Sequence, residues 1–195
     1  MTKKPELLLL GGGGHCHSCI DVIEQEGVFT VAGILDHRVQ VGKMVFDYQI
    51  LGADEELSRL RKAFSHALIT IGQLRTACRR IELFELLSEM GFVLPVIVSP
   101  LAYVSPRAHL EPGTIVMHGA MINAGAVVGK NCIINSRSLI EHDSVVEEHC
   151  HISTGAIVNG GARIGARTFY GSGAVCQQAA QIAPESFIKA NSTVR

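Results

Sequence analysis

A run of acidic and histidine side chains lies in the second half of the chain. Glu141, His142 and Asp143 are consecutive, and His149 and His151 follow shortly after them. An imidazole beside carboxylates can act as a general base, because a carboxylate orients the ring and raises its basicity. The alternative is a solvated surface histidine, which is the usual state of a single one, but the two further histidines favour a functional role. The pattern predicts a proton-transfer site centred on His142.

A glycine-rich loop, Gly11–Gly14, lies in the first half between an apolar segment and a predicted helix. Its backbone can approach a phosphate closely, and the helix N-terminus offers unpaired N–H groups. A dinucleotide fingerprint would have glycine where Cys16 stands, so the loop favours a phosphate-bearing ligand over a full dinucleotide. Asp36, at the end of the next predicted strand, can accept hydrogen bonds from a ribose or a base. The alternative for this loop is a tight turn that binds nothing.

Histidine and cysteine cluster directly after this loop, as His15, Cys16, His17 and Cys19. Neutral imidazole and thiolate are good zinc ligands. The cluster lacks a second ligand pair at zinc-finger spacing, so we predict no metal site. We expect Cys16 and Cys19 to pack in the core while His15 faces the ligand.

The elements that position the second-half residues follow from a six-residue repeat. Sixteen positions six apart run from Val104 to Val194, and fourteen of them are aliphatic. These positions are Val104, Leu110, Val116, Ile122, Val128, Ile134, Ile140, Val146, Ile152, Val158, Ile164, Tyr170, Cys176, Ile182, Ile188 and Val194. A small residue stands four places after each of the first fifteen. The register predicts a left-handed parallel β-helix of hexapeptide repeats, in which aliphatic residues point inward and small residues fit the corners.

Such a β-helix has three faces, and its outward-facing positions include His142. A trimeric β-helix carbonic anhydrase has a similar fold and holds its metal with three histidines across an interface. His109 and His118 have no histidine pair at the later spacing that this metal site requires. The sequence therefore gives little support to a metal-dependent hydratase.

Strands and helices alternate in the first half of the chain. The predicted strands are 6–10, 29–35, 67–71 and 93–99, and the predicted helices are 16–26, 54–63 and 76–90. Alternation of this kind implies a small parallel sheet, as in a truncated nucleotide-binding α/β unit. We therefore predict two domains: a Rossmann-like α/β domain over residues 1–98 and the all-β left-handed β-helix over residues 99–195.

Composition excludes several classes of protein. The chain has 195 residues, 47% of them hydrophobic, and a formal net charge of −1, which argues against nucleic acid as a partner. Its longest uninterrupted apolar run, Leu7–Leu10, is too short to enter a membrane as a helix. The six cysteines have no spacing typical of a disulfide framework, which favours the cytoplasm.

Several short motifs are shared with one family. They are Gly13-Gly14-His15, Leu35-Asp36, Ile71-Gly72-Gln73, Asn135, Ile140-Glu141-His142-Asp143, and His151-Ile152-Ser153 with Gly155. Through them the whole chain resembles the bacterial sugar O- and N-acyltransferases, which join a small Rossmann-like domain to a left-handed β-helix. The family includes acetyltransferases for UDP-linked amino-dideoxy sugars in bacillosamine and legionaminic acid synthesis, and proteins similar to sialic-acid O-acetyltransferases.

The resemblance implies roles for particular residues. His142 would be the general base, and Asp143, where the family usually has Glu, would increase its basicity. The residues implied to bind the UDP-sugar are Gly13, Gly14, His15, Asp36, Gly72 and also His37, which stands where the family can have a second Asp. The residues implied to contact acetyl-CoA are Asn135, His151, Gly160, Ser172 and Ala190.

The implied reaction is direct transfer of an acetyl group from acetyl-CoA to the 4-amino group of the sugar. The resemblance also implies a homotrimer with active sites between subunits. Relatives commonly continue into a short tail that helps close the coenzyme site, whereas this sequence stops at Arg195, so we expect that wall to be missing or supplied in another way. The alternatives are a sialic-acid-type O-acetyltransferase and a non-catalytic protein that binds nucleotide sugars.

Overall fold

The computed structural model describes residues 4–73 and 75–195. A five-stranded sheet forms the centre of the first half, with strand order β3-β4-β2-β1-β5. Its strands are β1 Glu6–Leu10, β2 Thr30–Leu35, β3 Met44–Val45, β4 Tyr48–Gly52 and β5 His66–Ile69. The pairings are parallel except for that of β3 with β4, which is antiparallel. This is the predicted Rossmann-like arrangement with an added edge hairpin.

Three helices cover the sheet. They are α1 Gly14–Glu26, α2 Leu57–Leu60 and α3 Cys78–Glu89. Because side chains alternate along a strand, Leu7 and Leu9 of β1 pack on the α1 side, and Leu8 and Leu10 on the side of α2 and α3. Gly27 ends α1 in the left-handed conformation. No helix of the described residues is long and apolar enough to cross a membrane.

The second half is the predicted left-handed parallel β-helix. Its two-residue strands are β6 Ile97–Val98, β7 Tyr103–Val104, β8 His109–Leu110, β9 Ile115–Val116, β10 Met121–Ile122, β11 Val127–Val128, β12 Ile133–Ile134, β13 Leu139–Ile140, β14 Val145–Val146, β15 His151–Ile152, β16 Ile157–Val158, β17 Arg163–Ile164, β18 Phe169–Tyr170, β19 Val175–Cys176, β20 Gln181–Ile182, β21 Phe187–Ile188 and β22 Thr193–Val194. They stack into three parallel sheets, and each strand pairs with the strand one coil away.

The six-residue register is confirmed by burial. The second residue of each strand points inward, and the inward residues from Val116 to Ile164 are fully buried together with Tyr170. The small corner residues, such as Ala126 and Ala156, are buried beside them. The residue before each small residue has a positive φ from Gly113 onward, a regularity that the sequence analysis did not identify.

The two halves meet along one face of the β-helix. The outward residues of β6, β9 and β12 are Ile97, Ile115 and Ile133, and they pack in the same core cluster as α1. One coil at a time, the same column continues as His151, Phe169 and Phe187. We call these six residues the domain-facing column. Its first three members are buried, whereas Phe187 is exposed.

Some predicted elements of the first half are wrong in extent. The helix predicted over 54–63 is a 3-10 turn, Asp54–Glu56, followed by the single turn of α2. The strand predicted over 93–99 is reduced to β6, which belongs to the β-helix because it pairs with β9. The sequence analysis also missed the β3–β4 hairpin. The predicted division between residues 98 and 99 thus falls at the end of the first β-helix strand.

The register gives a stability prediction. Ile164 is fully buried inside the β-helix, so we expect Ile164→Ala to lower the free energy of unfolding by about 2–5 kcal/mol through lost burial and a cavity. Leu101, which is 64% exposed, is the control, and Leu101→Ala should cost less than about 0.5 kcal/mol. Urea denaturation followed by circular dichroism measures both; equal losses would contradict the assigned register.

Candidate active site

A cavity of about 1080 Å³ lies between the carboxyl ends of the sheet strands and the outer face of the β-helix. Parallel α/β sheets commonly bind ligands at this edge. All six residues predicted to bind the nucleotide sugar line it: Gly13, Gly14, His15, Asp36, His37 and Gly72. Three of the five residues predicted to contact acetyl-CoA line it as well: Asn135, His151 and Ser172. The fold thus brings together two sets that are far apart in sequence.

The glycine loop forms one wall. Asp36 stabilises the loop, because its Oδ2 accepts the Gly12 N–H at 2.7 Å. Its Oδ1 accepts the His37 N–H at 2.6 Å, which orients the carboxylate. Gly13 and Gly14 have open space where a side chain would begin. The N-terminus of α1 therefore faces the cavity through bare backbone, as an anion site requires.

Two neutral imidazoles mark the end of the cavity against the β-helix. The rings of His15 and His151 lie 6.3 Å apart, centroid to centroid. The His151 Nδ1 atom is 3.0 Å from the Gln73 carbonyl oxygen, so Nδ1 must donate its proton there. Nε2 is then an acceptor, and the Asn135 amide donates to it at 3.2 Å.

Burial keeps both rings uncharged. It lowers the pKa of His15 to about 4 and that of His151 to about 3, and the charge of Arg80 acts in the same direction. The Nε2 atom of His15 is buried and has no hydrogen-bond partner among the described residues. This end of the cavity therefore offers neutral donors and acceptors rather than charge.

Aromatic rings and hydroxyl groups complete the same wall. The ring of Phe169 meets His151 edge-on at 5.3 Å and stacks on Phe187 at 5.1 Å. The hydroxyls of Ser153 and Ser172 lie 2.8 Å apart. A surface of rings and neutral polar groups is chemically suited to a sugar ring, which has both apolar faces and hydroxyls.

The cavity rim is charged. Arg38 pairs with Glu55 at 2.8 Å, and Arg79 of α3 pairs with Asp54. Asp54 and Glu55 belong to the same 3-10 turn, which follows β4. The two ion pairs join the segment after β2 and α3 to this turn, at the end of the cavity away from His151.

His142 lies elsewhere, at the β-helix corner between β13 and β14. Its side chain is 58% exposed, and Nδ1 donates to Asp143 Oδ2 at 2.9 Å. This bond raises the pKa of His142 above its ordinary value, and the charges of Asp143 and Glu141 act in the same direction. Asp143 has a φ of 58°, the left-handed corner conformation of the repeat.

Gly160 of the next coil and Asn123 of the preceding coil both contact this corner. A Cβ atom on Gly160 would lie 2.7 Å from His142 Nε2, so the imidazole rests against the bare backbone of Gly160. Glu141 accepts the Asn123 amide at 2.8 Å and the His142 N–H at 3.2 Å. The predicted coenzyme residue Gly160 thus adjoins His142.

The last predicted coenzyme residue, Ala190, lies one coil beyond Ser172. The N–H of Asn191, which follows Ala190, donates to the Ser172 carbonyl at 2.8 Å. Ala190 is exposed. Asn135, Ser172 and Ala190 therefore lie at one corner of the β-helix, His151 lies in the strand that leads into that corner, and Gly160 lies at the next corner, beside His142.

The three clustered histidines of the sequence do not form one cluster in space. His149 is buried under α3, where its ring meets Phe84 edge-on at 5.5 Å, and burial lowers its pKa to about 4. His151 faces the cavity and His142 faces solvent. Adjacency in sequence misleads here because successive β-helix positions point to different sides.

The histidine and cysteine residues after the glycine loop also point apart. Cys16 and Cys19 are fully buried in the core, and burial raises the pKa of the Cys16 thiol to about 11. His17 packs on Phe46 at 4.8 Å on the outer side of α1, while His15 faces the cavity. Thiols that burial keeps protonated are poor zinc ligands.

Sequence analysis missed Arg80, which is fully buried on α3 and donates to Gln73 of the cavity wall. The signal was its position: Ala77, Arg80, Phe84 and Leu87 recur at helical spacing on one buried face of α3.

Comparison with known proteins supports the two-part fold and the family resemblance. The sequence profile of the PglD N-terminal domain matches residues 6–84. No curated protein sequence matches significantly. Among solved structures, the acetyltransferase domain of PglB from Neisseria gonorrhoeae is 27% identical, with a TM-score of 0.91 over 98% of this chain and 92% of that one. It has also been solved in complex with acetyl coenzyme A.

A second relative is more similar in sequence. Perosamine N-acetyltransferase from Caulobacter crescentus is 30% identical, with a TM-score of 0.92, and the match covers 97% of this chain and 88% of that one. That structure is of a histidine-to-asparagine mutant in complex with CoA and GDP-perosamine. The motifs, the two-part fold and this similarity agree: the chain belongs to the bacterial sugar acetyltransferase family.

Proposed function

We propose that this protein is an N-acetyltransferase that uses acetyl-CoA to acetylate the 4-amino group of a UDP-linked amino-dideoxy sugar. The observation that carries the proposal is the cavity. In one continuous space it joins a glycine loop suited to bind an anion and a neutral end suited to bind a sugar. The relatives support it, since one is a perosamine N-acetyltransferase in complex with CoA and a nucleotide sugar. The six unpaired cysteines fit a cytoplasmic location.

The ligand would lie along the cavity. Its diphosphate would meet the backbone N–H groups at the N-terminus of α1, near Gly13 and Gly14. The nucleoside would occupy the side of Asp36 and His37. The sugar would reach the end where His15 and Gly72 face Asn135 and His151 of the β-helix, so that its amino group approaches the coenzyme residues.

His142 would act as the general base. A neutral imidazole accepts a proton from the amino nitrogen as that nitrogen attacks the thioester carbonyl. The new C–N bond forms, the C–S bond breaks, and the proton can pass to the departing CoA thiolate. Asp143 supports this step, because its bond to Nδ1 leaves Nε2 free to accept and raises the basicity of the ring.

A complete site would need two subunits. His142 stands one β-helix corner beyond the residues that line the cavity, and one sheet lies between these corners. The outward side chains of that sheet form an unbroken apolar column of partly exposed residues: Tyr103, Met121, Leu139, Ile157 and Val175. A second copy that covers this column would bring His142 of one subunit toward the cavity of the next. We propose a homotrimer with three such sites.

Acetyl-CoA would lie in the groove between these subunits. Gly160 adjoins the base, whereas Asn135, His151 and Ser172 face the cavity and Ala190 follows one coil later. The thioester would then lie between the base and the end of the sugar-binding cavity. Backbone N–H groups there would stabilise the oxyanion.

The first test is thiol release from acetyl-CoA with matched acceptors. We expect release with a UDP-linked 4-amino sugar and none with its 4-hydroxyl counterpart. A GDP-linked 4-amino sugar and a sialic acid are the comparison acceptors. Faster release with the GDP sugar would show that the acceptor carries GDP and not UDP. Release only with hydroxyl acceptors would show that the reaction is O-acetylation and not N-acetylation. Binding of nucleotide sugars without any release would leave a binding protein.

The second test addresses the base. We expect His142→Ala to lower kcat by about 10²–10⁴-fold without changing the circular dichroism spectrum, because proton removal is lost while the exposed ring lies outside the core, on the surface beside Gly160. We expect Asp143→Ala to move the acidic limb of the kcat/KM pH profile to lower pH, because Asp143 raises the pKa of His142. Full activity in His142→Ala would remove this residue from the mechanism.

The third test addresses the shared site. Gly13→Glu should block the cavity by placing a carboxylate where we put the diphosphate, and the space at Gly13 is open enough to accept it. Co-expression of His142→Ala with Gly13→Glu in equal amounts should restore about one quarter of wild-type activity over the whole population of randomly assembled trimers, since half of the bases and half of the cavities are intact. Each variant alone serves as the control. A mixture as inactive as the variants would place base and cavity in one subunit.

A further inference from the structure

Arg80 is a buried cation that has no carboxylate partner among the described residues. It lies on α3 between the sheet and the β-helix and is 2% exposed. Its Nη1 donates to Gln73 Oε1 at 2.9 Å, and its Nη2 donates to the carbonyl oxygen and the side-chain oxygen of Asn131. The Asn131 amide donates back to the Arg80 carbonyl at 3.1 Å. Nε has no hydrogen-bond partner among the described residues.

Such an arrangement is expensive for stability. A charge removed from water loses its hydration, and only amide and carbonyl dipoles compensate for it here. An apolar residue would suit this face of α3, where Leu83, Phe84 and Leu87 are its buried neighbours. Packing alone therefore does not explain why an arginine occupies this position.

The guanidinium reaches the cavity through Gln73. Its bond to Oε1 holds the Gln73 side chain, and the main-chain carbonyl of the same residue accepts the Nδ1 proton of His151 at 3.0 Å. Asn135 then donates to His151 Nε2. The contacts thus form one chain from the domain interface to the cavity wall, in the order Arg80, Gln73, His151, Asn135.

The charge of Arg80 supports the same arrangement. It lowers the pKa values of His15, His149 and His151 in addition to the larger effect of burial. Burial lowers the pKa of Arg80 itself only to about 10, so it stays charged at neutral pH. The other titratable groups near it are thiols of α1 and the β-helix: Cys19, Cys132 and Cys150. Burial raises the pKa of Cys19 well above its ordinary value. The pKa of Cys150 is also raised well above its ordinary value, by a side-chain hydrogen bond with the Cys132 thiol and by burial.

We propose that Arg80 is a positioning residue for the reaction: it fixes Gln73 so that His151 keeps its proton on Nδ1 and an unprotonated Nε2 that accepts the Asn135 amide in the cavity wall. This rests on the proposed function, because the cavity must bind the sugar nucleotide for the orientation of His151 to matter. Arg80 itself does not line the cavity and acts only through Gln73.

The test uses the full-length protein and four variants. Arg80→Met removes the charge and both hydrogen-bonding arms, and Arg80→Lys keeps the charge but loses the fork. Gln73→Leu removes the side-chain acceptor of Arg80, together with the amide that donates to the Arg167 carbonyl at 3.4 Å, and serves if Arg80→Met does not fold. Arg61→Met is the matched control, because Arg61 likewise ties two segments together by bonds to the Met90 and Gly91 carbonyls but lies outside the cavity.

Two measurements are made on each. Nitrogen-15 NMR of labelled histidines, assigned with His151→Gln, reports the protonation of each ring nitrogen. Steady-state kinetics with the nucleotide sugar and acetyl-CoA report kcat and KM. For Arg80→Met we expect loss of the single Nδ1–H form of His151 and a fall in kcat/KM of about tenfold or more, since small displacements at a site cost up to about 10²-fold. The kcat/KM of Arg80→Lys should lie between those of Arg80→Met and the wild type, and Arg61→Met should match the wild type in both measurements.

The outcomes separate the two proposals. If Arg80→Met or Gln73→Leu keeps the wild-type His151 spectrum, or changes it without lowering kcat/KM, the positioning role is wrong. A lowered melting temperature with an unchanged spectrum would make Arg80 a structural residue and would also overturn the role. If the wild type shows no turnover with any acceptor, the proposed function fails; unchanged affinity of Arg80→Met for the nucleotide sugar, measured by calorimetry, would then overturn the positioning role.

Discussion

The stacking of each residue on the one a full coil later is the constraint on which the rest of the structure depends. Backbone hydrogen bonds join successive coils in register, and inward residues from Val116 to Ile182, aliphatic except for Tyr170 and Cys176, fill the interior. An insertion within a coil would shift every later side chain to another face. The outer surface is therefore a set of straight columns. One column supplies both the isoleucines that hold α1 and, farther along, the wall of the cavity at His151.

That column explains how two dissimilar halves can build one site. Ile97, Ile115 and Ile133 bury the side of α1 that faces the β-helix and so fix the height at which the sheet meets the β-helix. At this height the carboxyl ends of the strands face the next coils, where the column turns from isoleucine to histidine and phenylalanine. The glycine loop and His151 thus face each other at a separation that the apolar packing below them sets, and hydrogen bonds from Arg80 to Asn131 and from His151 to the Gln73 carbonyl also join the two halves.

The parts that the sequence could predict are those with a regular period or a fixed local motif. The interior of the β-helix followed from the six-residue repeat, and even the bulky Tyr170 is buried where the repeat puts it. The glycine loop and Asp36 followed from a strand–turn–helix pattern. The β3–β4 hairpin was missed because two residues of β3 give no periodicity. The different positions of His142, His149 and His151 depend on corner geometry. His142 precedes a left-handed corner residue, His149 occupies such a position, and His151 begins a strand.

The distribution of charge within the cavity also has a physical logic. Its rim has ion pairs and its glycine loop has backbone N–H groups, whereas the end at His15 and His151 is neutral. A protonated imidazole at that end would raise the cost of bringing a cationic amino sugar close to it and would no longer accept a hydrogen bond at Nε2. A buried Arg80 just behind the wall disfavours such protonation without entering the cavity. The exposed His142 is the opposite case, because Asp143 raises its pKa in open solvent where a proton can leave. One chain thus keeps His15 and His151 neutral by burial and raises the pKa of the exposed His142 through a carboxylate.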